Sequence, residues 1–99
     1  MTKALDQLTA ADFQPLLQQR FTVVQNEGDL SLELVGVRDL PPHARREAPF
    51  ALLFRGPRFP VLPQRVHTLV HPQVGALAMF LVPVQGGDPG AVAYEAIFN

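Results

Sequence analysis

Ten prolines among 99 residues constrain this chain more than any other feature. Pro57, Pro60, Pro63, Pro72 and Pro83 interrupt or bound segments that are otherwise apolar and rich in Val, Leu and Phe. Proline cannot donate to a strand ladder, so it limits strands to edges, bulges and short lengths. Pro83 inside "FLVPV" therefore implies an edge strand or a bulge. Proline at strand margins also protects a β-rich monomer against stray pairing. The same device suits a building block that pairs along one edge only.

One helix is expected, near the start. Thr9 followed by Asp12 has the spacing of a capping box, and Leu8 and Phe13 fall at the two positions of a hydrophobic staple. Phe13, Leu16 and Leu17 share one face. Pro15 is tolerated in a first turn but not in a helix interior. The expectation is a turn at 9–12 running into a short helix that ends near Gln19.

Strands are expected after that: "FTVVQ" (21–25), "LSLEL" (30–34), "FALLFR" (50–55), "RVHTLVH" (65–71), "ALAMFLVPV" (76–84) and "AVAYEAIF" (91–98). Between the first two, "NEGD" (26–29) is a turn with Gly28 able to take positive φ. Leu30, Leu32 and Leu34 alternate inward, and then Val35 and Val37 change the parity. A bulge at Gly36 explains that switch. "FALLFR" is apolar on both faces, as a strand covered on both sides would be. Phe50, Phe54, Phe80, Tyr94 and Phe98 take core positions. The fold class is mainly β within α+β. Its architecture is a six-stranded antiparallel meander, curved or closed into a barrel, with the short N-terminal helix over one end or face. It forms a single domain over 1–99.

Composition excludes several functions. The net charge is −1, so there is no basic field for nucleic acid. Cysteine is absent, which removes disulfides, thiolate metal sites and cysteine nucleophiles. The N-terminus has charges and no apolar core of a signal peptide, and no run is long enough to span a membrane. A cytoplasmic protein is the expectation, with export by a route that reads no N-terminal signal left open.

No reactive constellation stands out. His67 and His71 lie four apart, which on a strand separates them by about 13 Å at roughly 3.3 Å per residue. One metal does not bridge that gap, and His43 sits in the polar loop 39–49 with Arg45, Arg46 and Glu47. No metal or cofactor is expected. Ser31, the single serine, lacks a nucleophile elbow. Glu95 reads as an outward strand carboxylate beside a half-buried Tyr94. The candidates left are interaction residues. Arg55 and Arg58 flank Gly56-Pro57, which reads as a turn, and two guanidiniums near a glycine can hold an anion. Phe59, between prolines, either presents an apolar surface to a partner or folds back to plug the barrel end.

Several segments together, "LTAADFQPLLQQRF", "FALLFRGP", "VLPQRVHTLVHPQVGALAMFLVPV" and "YEAIFN", resemble an uncharacterised family of short bacterial domains of unknown function. The resemblance covers nearly the whole chain. It implies an association with phage-tail-collar-like proteins, and so involvement in a tail- or fibre-like assembly, but assigns no catalytic residue.

The first functional expectation is a non-catalytic structural or protein-interaction module with a protein partner or a homo-oligomeric state. The second is a small-ligand-binding barrel. Its mouth would be formed by loops 39–49 and 55–63, with Arg55 or Arg58 gripping an anionic group. An enzyme built on His67 or Glu95 comes third.

Overall fold

The computed structural model describes residues 7–26, 28–42, 48–84 and 89–98. The cluster His43, Arg45, Arg46 and Glu47 and most of the turn before the last strand lie outside the described residues. Helix α1 spans Ala10–Phe13 and continues as a 3₁₀ turn, Gln14–Leu16. The strands are β1 Arg20–Val24, β2 Leu30–Asp39, β3 Phe50–Pro57, β4 Arg65–His71, β5 Gly75–Val84 and β6 Ala91–Phe98.

All six strands are antiparallel to their neighbours and close into a barrel in the order β1-β2-β3-β6-β5-β4. Two three-stranded meanders, β1–β3 and β4–β6, are joined along β3–β6 and β1–β4. Residues 58–64 are the one link between strands that do not pair. This proline-rich connection carries the chain across one barrel end, where sequential pairing alone leads one to expect a neighbour.

Alternating strand directions fix which loops share an end. The links β1–β2, β3–β4 and β5–β6 lie at what we call the upper end. The links β2–β3 and β4–β5 lie at the lower end with α1. Loops 39–49 and 55–63 are therefore at opposite ends, and cannot form one mouth.

The lower end is closed by aromatic packing. The Phe13 ring lies 5.8 Å from both Phe50 and Phe98, which stack on each other at 4.6 Å. Thr9 caps α1, and its N–H donates to the Asp12 carboxylate at 2.8 Å. Leu8 and Phe13 are both buried, as a staple requires. The helical segment ends at Leu16, short of Gln19. Leu17 turns to extended ψ, Gln18 takes φ 68°, and the Gln18 N–H donates to the Leu34 carbonyl at 2.7 Å. The sheet captures the chain there, with Pro15 in the first positions of the 3₁₀ turn.

The bulge occurs where the parity changes, with the register shifting between Leu34 and Gly36. Val35 is the extra residue and is exposed. Pro83 lies beyond Leu81, the last β5 residue paired with β4, and pairs only with Tyr94 of β6. A closed barrel thus provides the local equivalent of an edge for it. β3 is not covered on both sides: its outward Leu53 is exposed, and among the described residues no layer lies outside the barrel there.

Gly56 is a strand residue, not a turn residue. It pairs with Val92 and faces the core. A Cβ there would stand 2.5 Å from Leu32 Cδ2 and 3.3 Å from Tyr94 Cε2. Both neighbours are fully buried, so neither moves freely. Gly56→Ala is expected to cost about 1–3 kcal/mol from overpacking, read in chemical denaturation. An unchanged midpoint would show that the core yields at this point.

Candidate functional site

The barrel interior is filled. Phe21, Phe54, Tyr94, Leu32, Leu34, Leu52, Leu69 and Leu81 are fully buried in one cluster. Phe21 and Phe54 meet edge to face at 5.3 Å. Tyr94, expected half-buried, is wholly inside. Its hydroxyl accepts the Leu62 N–H at 2.9 Å. Leu62 therefore plugs the upper end, and Phe59 does not fold back: it is 75% exposed, with the Arg58 guanidinium 5.7 Å from its ring centre.

Arg55 lies on the outer wall. The register places Arg20, Glu33 and Arg55 side by side on β1, β2 and β3. With Ser31, Gly56 and Gly90 they line an open cleft of about 420 Å³. Arg20 Nη1 donates to Ser31 Oγ at 3.4 Å. Arg58 is not part of this cleft, so the two candidate arginines do not converge. Glu95 faces outward, as expected, and spans β3 to meet Arg38 at 2.8 Å.

The two β4 histidines are buried. His67, Leu69 and His71 face inward while Val66, Thr68 and Val70 face outward. Each histidine is held by protein. His67 Nε2 donates to the Pro63 carbonyl at 2.8 Å. Gln73 N–H donates to His71 Nδ1 at 3.0 Å, so that nitrogen must be unprotonated. His71 Nε2–H then donates to Gln19 Oε1 at 2.7 Å. The ring also lies 4.8 Å from Phe21.

Burial pushes the His71 pKa below its ordinary 6.5. Its folded state resists a proton that the unfolded chain accepts near that value. Stability is therefore full above about pH 6.5 and declines as pH falls toward the folded pKa. His71→Gln removes this contribution. Between pH 7.5 and 5.5, urea midpoints of the wild type are expected to fall more than those of the variant. Parallel midpoints would refute the assignment. Among the described residues no group of three metal-ligating side chains occurs, and no helix is long and apolar enough to cross a membrane.

The outer wall divides into two halves. The half made by β2, β3 and β6, with Arg20 at the start of β1, carries Arg20, Glu33, Arg38, Arg55 and Glu95. The outward positions on β4, with their partners on β1 and β5, carry no charge: Thr22, Val24, Val66, Thr68, Val70, Ala76, Ala78 and Phe80. Val66 is 59% and Phe80 49% exposed, and they are cross-strand partners. Phe80 is thus on the surface and not in the core. It alternates with Met79 and Leu81, which take the interior. Hydropathy does not reveal this face, because "RVHTLVH" reads most simply with its valines inside.

The fold and wall together define a class: a small closed antiparallel barrel, solid inside, with its distinctive chemistry on the exterior. The family model for the domain of unknown function DUF6916 matches residues 8–98. The chain belongs to that family. No curated protein and no solved structure matches it.

Proposed function

We propose that this domain is a non-catalytic protein-interaction module working through the uncharged patch centred on the outward side of β4, with its partners on β1 and β5. One observation carries the reading: the outward positions Val66, Thr68 and Val70 of β4 and their partners on β1 and β5 present Val, Ala, Thr and Phe without a charge, with exposed Arg20 and Arg65 only at the ends of β1 and β4. Solvated faces of antiparallel sheets are ordinarily polar, and a contiguous apolar patch marks an interaction surface. Phe59, exposed at the upper end, adds an apolar contact at a corner of the molecule. An accessory or subunit role in a tail- or fibre-like assembly is consistent with such a surface and is part of this proposal, as is a cytoplasmic location.

The test is a Val66→Ser/Phe80→Ser double variant. Both side chains are exposed, so folding is expected to persist. The wild type should associate with protein on a sizing column with light scattering or in affinity capture, and the variant should not. Association that survives the double substitution contradicts the proposal.

A second reading rests on the cleft holding Arg20, Ser31 and Arg55, where two guanidiniums outnumber the Glu33 carboxylate between them and can hold a small anion such as a carboxylate or phosphate on the outer wall. Calorimetry with inorganic phosphate tests it. Heat lost in Arg55→Ala supports it, and no heat with the wild type removes it.

A further inference from the structure

We infer that His71 is a proton-operated latch on the β4–β5 turn (72–74), which opens that turn in mild acid while the helical segment stays attached. The latch is a directed chain of hydrogen bonds across the lower end. The Gln73 N–H donates to His71 Nδ1 at 3.0 Å, and His71 Nε2–H donates to Gln19 Oε1 at 2.7 Å. Gln19 Nε2–H donates in turn to the Pro15 carbonyl at 3.3 Å. One imidazole thus ties the turn to the 3₁₀ segment Gln14–Leu16. Pro72 has no N–H, so that of Gln73 is the first donor in the turn, and the His71 ring is its acceptor.

A proton joins this ring at one place. Nε2 already carries a hydrogen, so the lone pair on Nδ1 is the only vacancy, and it is the one that Gln73 uses. Protonated Nδ1 becomes a donor and faces the Gln73 N–H as donor against donor. The bond from Nε2–H to Gln19 survives and gains from the charge. The two sides of the latch therefore respond in opposite senses. The Gln73 side is released, and the next residue, Val74, is part of the buried core cluster. Opening the turn brings that apolar side chain to water.

Among the described residues, the surrounding elements turn no ionised side chain toward the ring. On β1, Phe21 packs against it while Arg20 alternates outward. Asp12 of α1 accepts the Thr9 N–H. On β4, Arg65 is exposed at the far end, and His67, about 13 Å along the strand, is tied to Pro63. Tyr94 of β6 is tied to Leu62 at the upper end. The inward positions of β5 are Leu77, Met79 and Leu81. Burial lowers the His71 pKa below 6.5, and an open turn restores the ordinary value. The closed form refuses a proton that the open form accepts. The opening equilibrium is thus nearly flat above about pH 7 and rises by up to about tenfold per pH unit below about 6.5, until the folded pKa is reached.

The experiment is amide hydrogen exchange of the full chain between pH 7.5 and 5.5, with protection corrected for the intrinsic rate at each pH, with and without low urea. Protection of the Gln73 amide should fall by up to about tenfold over this range, and more than that of the Gln19 amide on the helical side. Because the opening is local, it should hardly depend on urea, unlike core amides such as Leu69. In His71→Gln the Gln73 amide should lose its pH dependence. The wild-type comparison decides on its own if that variant does not fold. Imidazole proton–nitrogen spectra give a second readout: His71 should carry its hydrogen on Nε2 at pH 7.5. A Gln73 amide that tracks Leu69 in both pH and urea overturns the latch, since the turn then opens only with the whole domain. Protection at Gln73 that is flat with pH, or a hydrogen on Nδ1 at pH 7.5, also overturns it.

Discussion

Phe13→Ala is expected to lower the unfolding free energy by about 3–5 kcal/mol. This is a large share of the 5–15 kcal/mol typical of a domain, and corresponds to a fall in Tm of at least about 12 °C. Phe13 comes from the helical segment, yet it is fully buried against two strands, with Phe50 and Phe98 each 5.8 Å away. Its removal leaves those stacked rings with a void and opens the lower barrel end. Differential scanning calorimetry gives the answer. A loss under 1 kcal/mol would mean that the helix merely rests on a barrel already closed by the strands.

The second large effect belongs to Tyr94, at the upper end. Tyr94→Ala removes a fully buried aromatic ring and is expected to cost about 3–5 kcal/mol. Tyr94→Phe separates the ring from the hydroxyl. It keeps the packing beside Gly56 and Leu32 but leaves the buried Leu62 N–H without an acceptor, at about 1–3 kcal/mol. Amide exchange adds a local readout. In Tyr94→Phe the Leu62 amide should lose protection more than the amides of β3. Uniform loss would indicate a global effect and would remove the special role given to this bond as the pin of the 58–64 connection.

These two ends show what was legible in the sequence. The helix start was legible because a cap and a staple are local: Thr9, Asp12, Leu8 and Phe13 lie within six residues. The bulge was legible because Gly36 separates two parities of one strand. The strand count followed from prolines and turn residues that act on their own neighbours. The strand order was less accessible. Residues 58–64 contain nothing that reports whether β4 returns beside β3 or crosses to β1, since that depends on barrel closure and not on the link itself.

Parity was hardest where both alternating sets are acceptable inside. In β5, Phe80 competes with Met79 and Leu81, and two inward residues prevail over one. In β4, His67 and His71 occupy the interior with hydrogen bonds between His67 Nε2 and Pro63 and between the two His71 ring nitrogens and Gln19 and Gln73. A buried polar group is tolerable once it is hydrogen-bonded, and those partners lie two to fifty-two residues away. The outward valines follow from that choice. The proposed site thus arises from hydrogen bonds of which one, from Gln19, is distant in the chain. Arg55, Arg58 and Phe59 attracted notice as unusual residues in one short stretch. The structure places Arg55 on the wall and Arg58 with Phe59 at the upper end.

The central claim is that the working surface of this solid barrel is the uncharged patch on the outward side of β4 and its partners on β1 and β5. A dilution series of amide proton–nitrogen correlation spectra tests it most directly. Concentration-dependent shifts are predicted at Val24, Val66, Thr68, Ala78 and Phe80, with Ser31, Glu33 and Arg55 unmoved. Shifts confined to the charged half, or none at any concentration with or without added protein, would contradict the account.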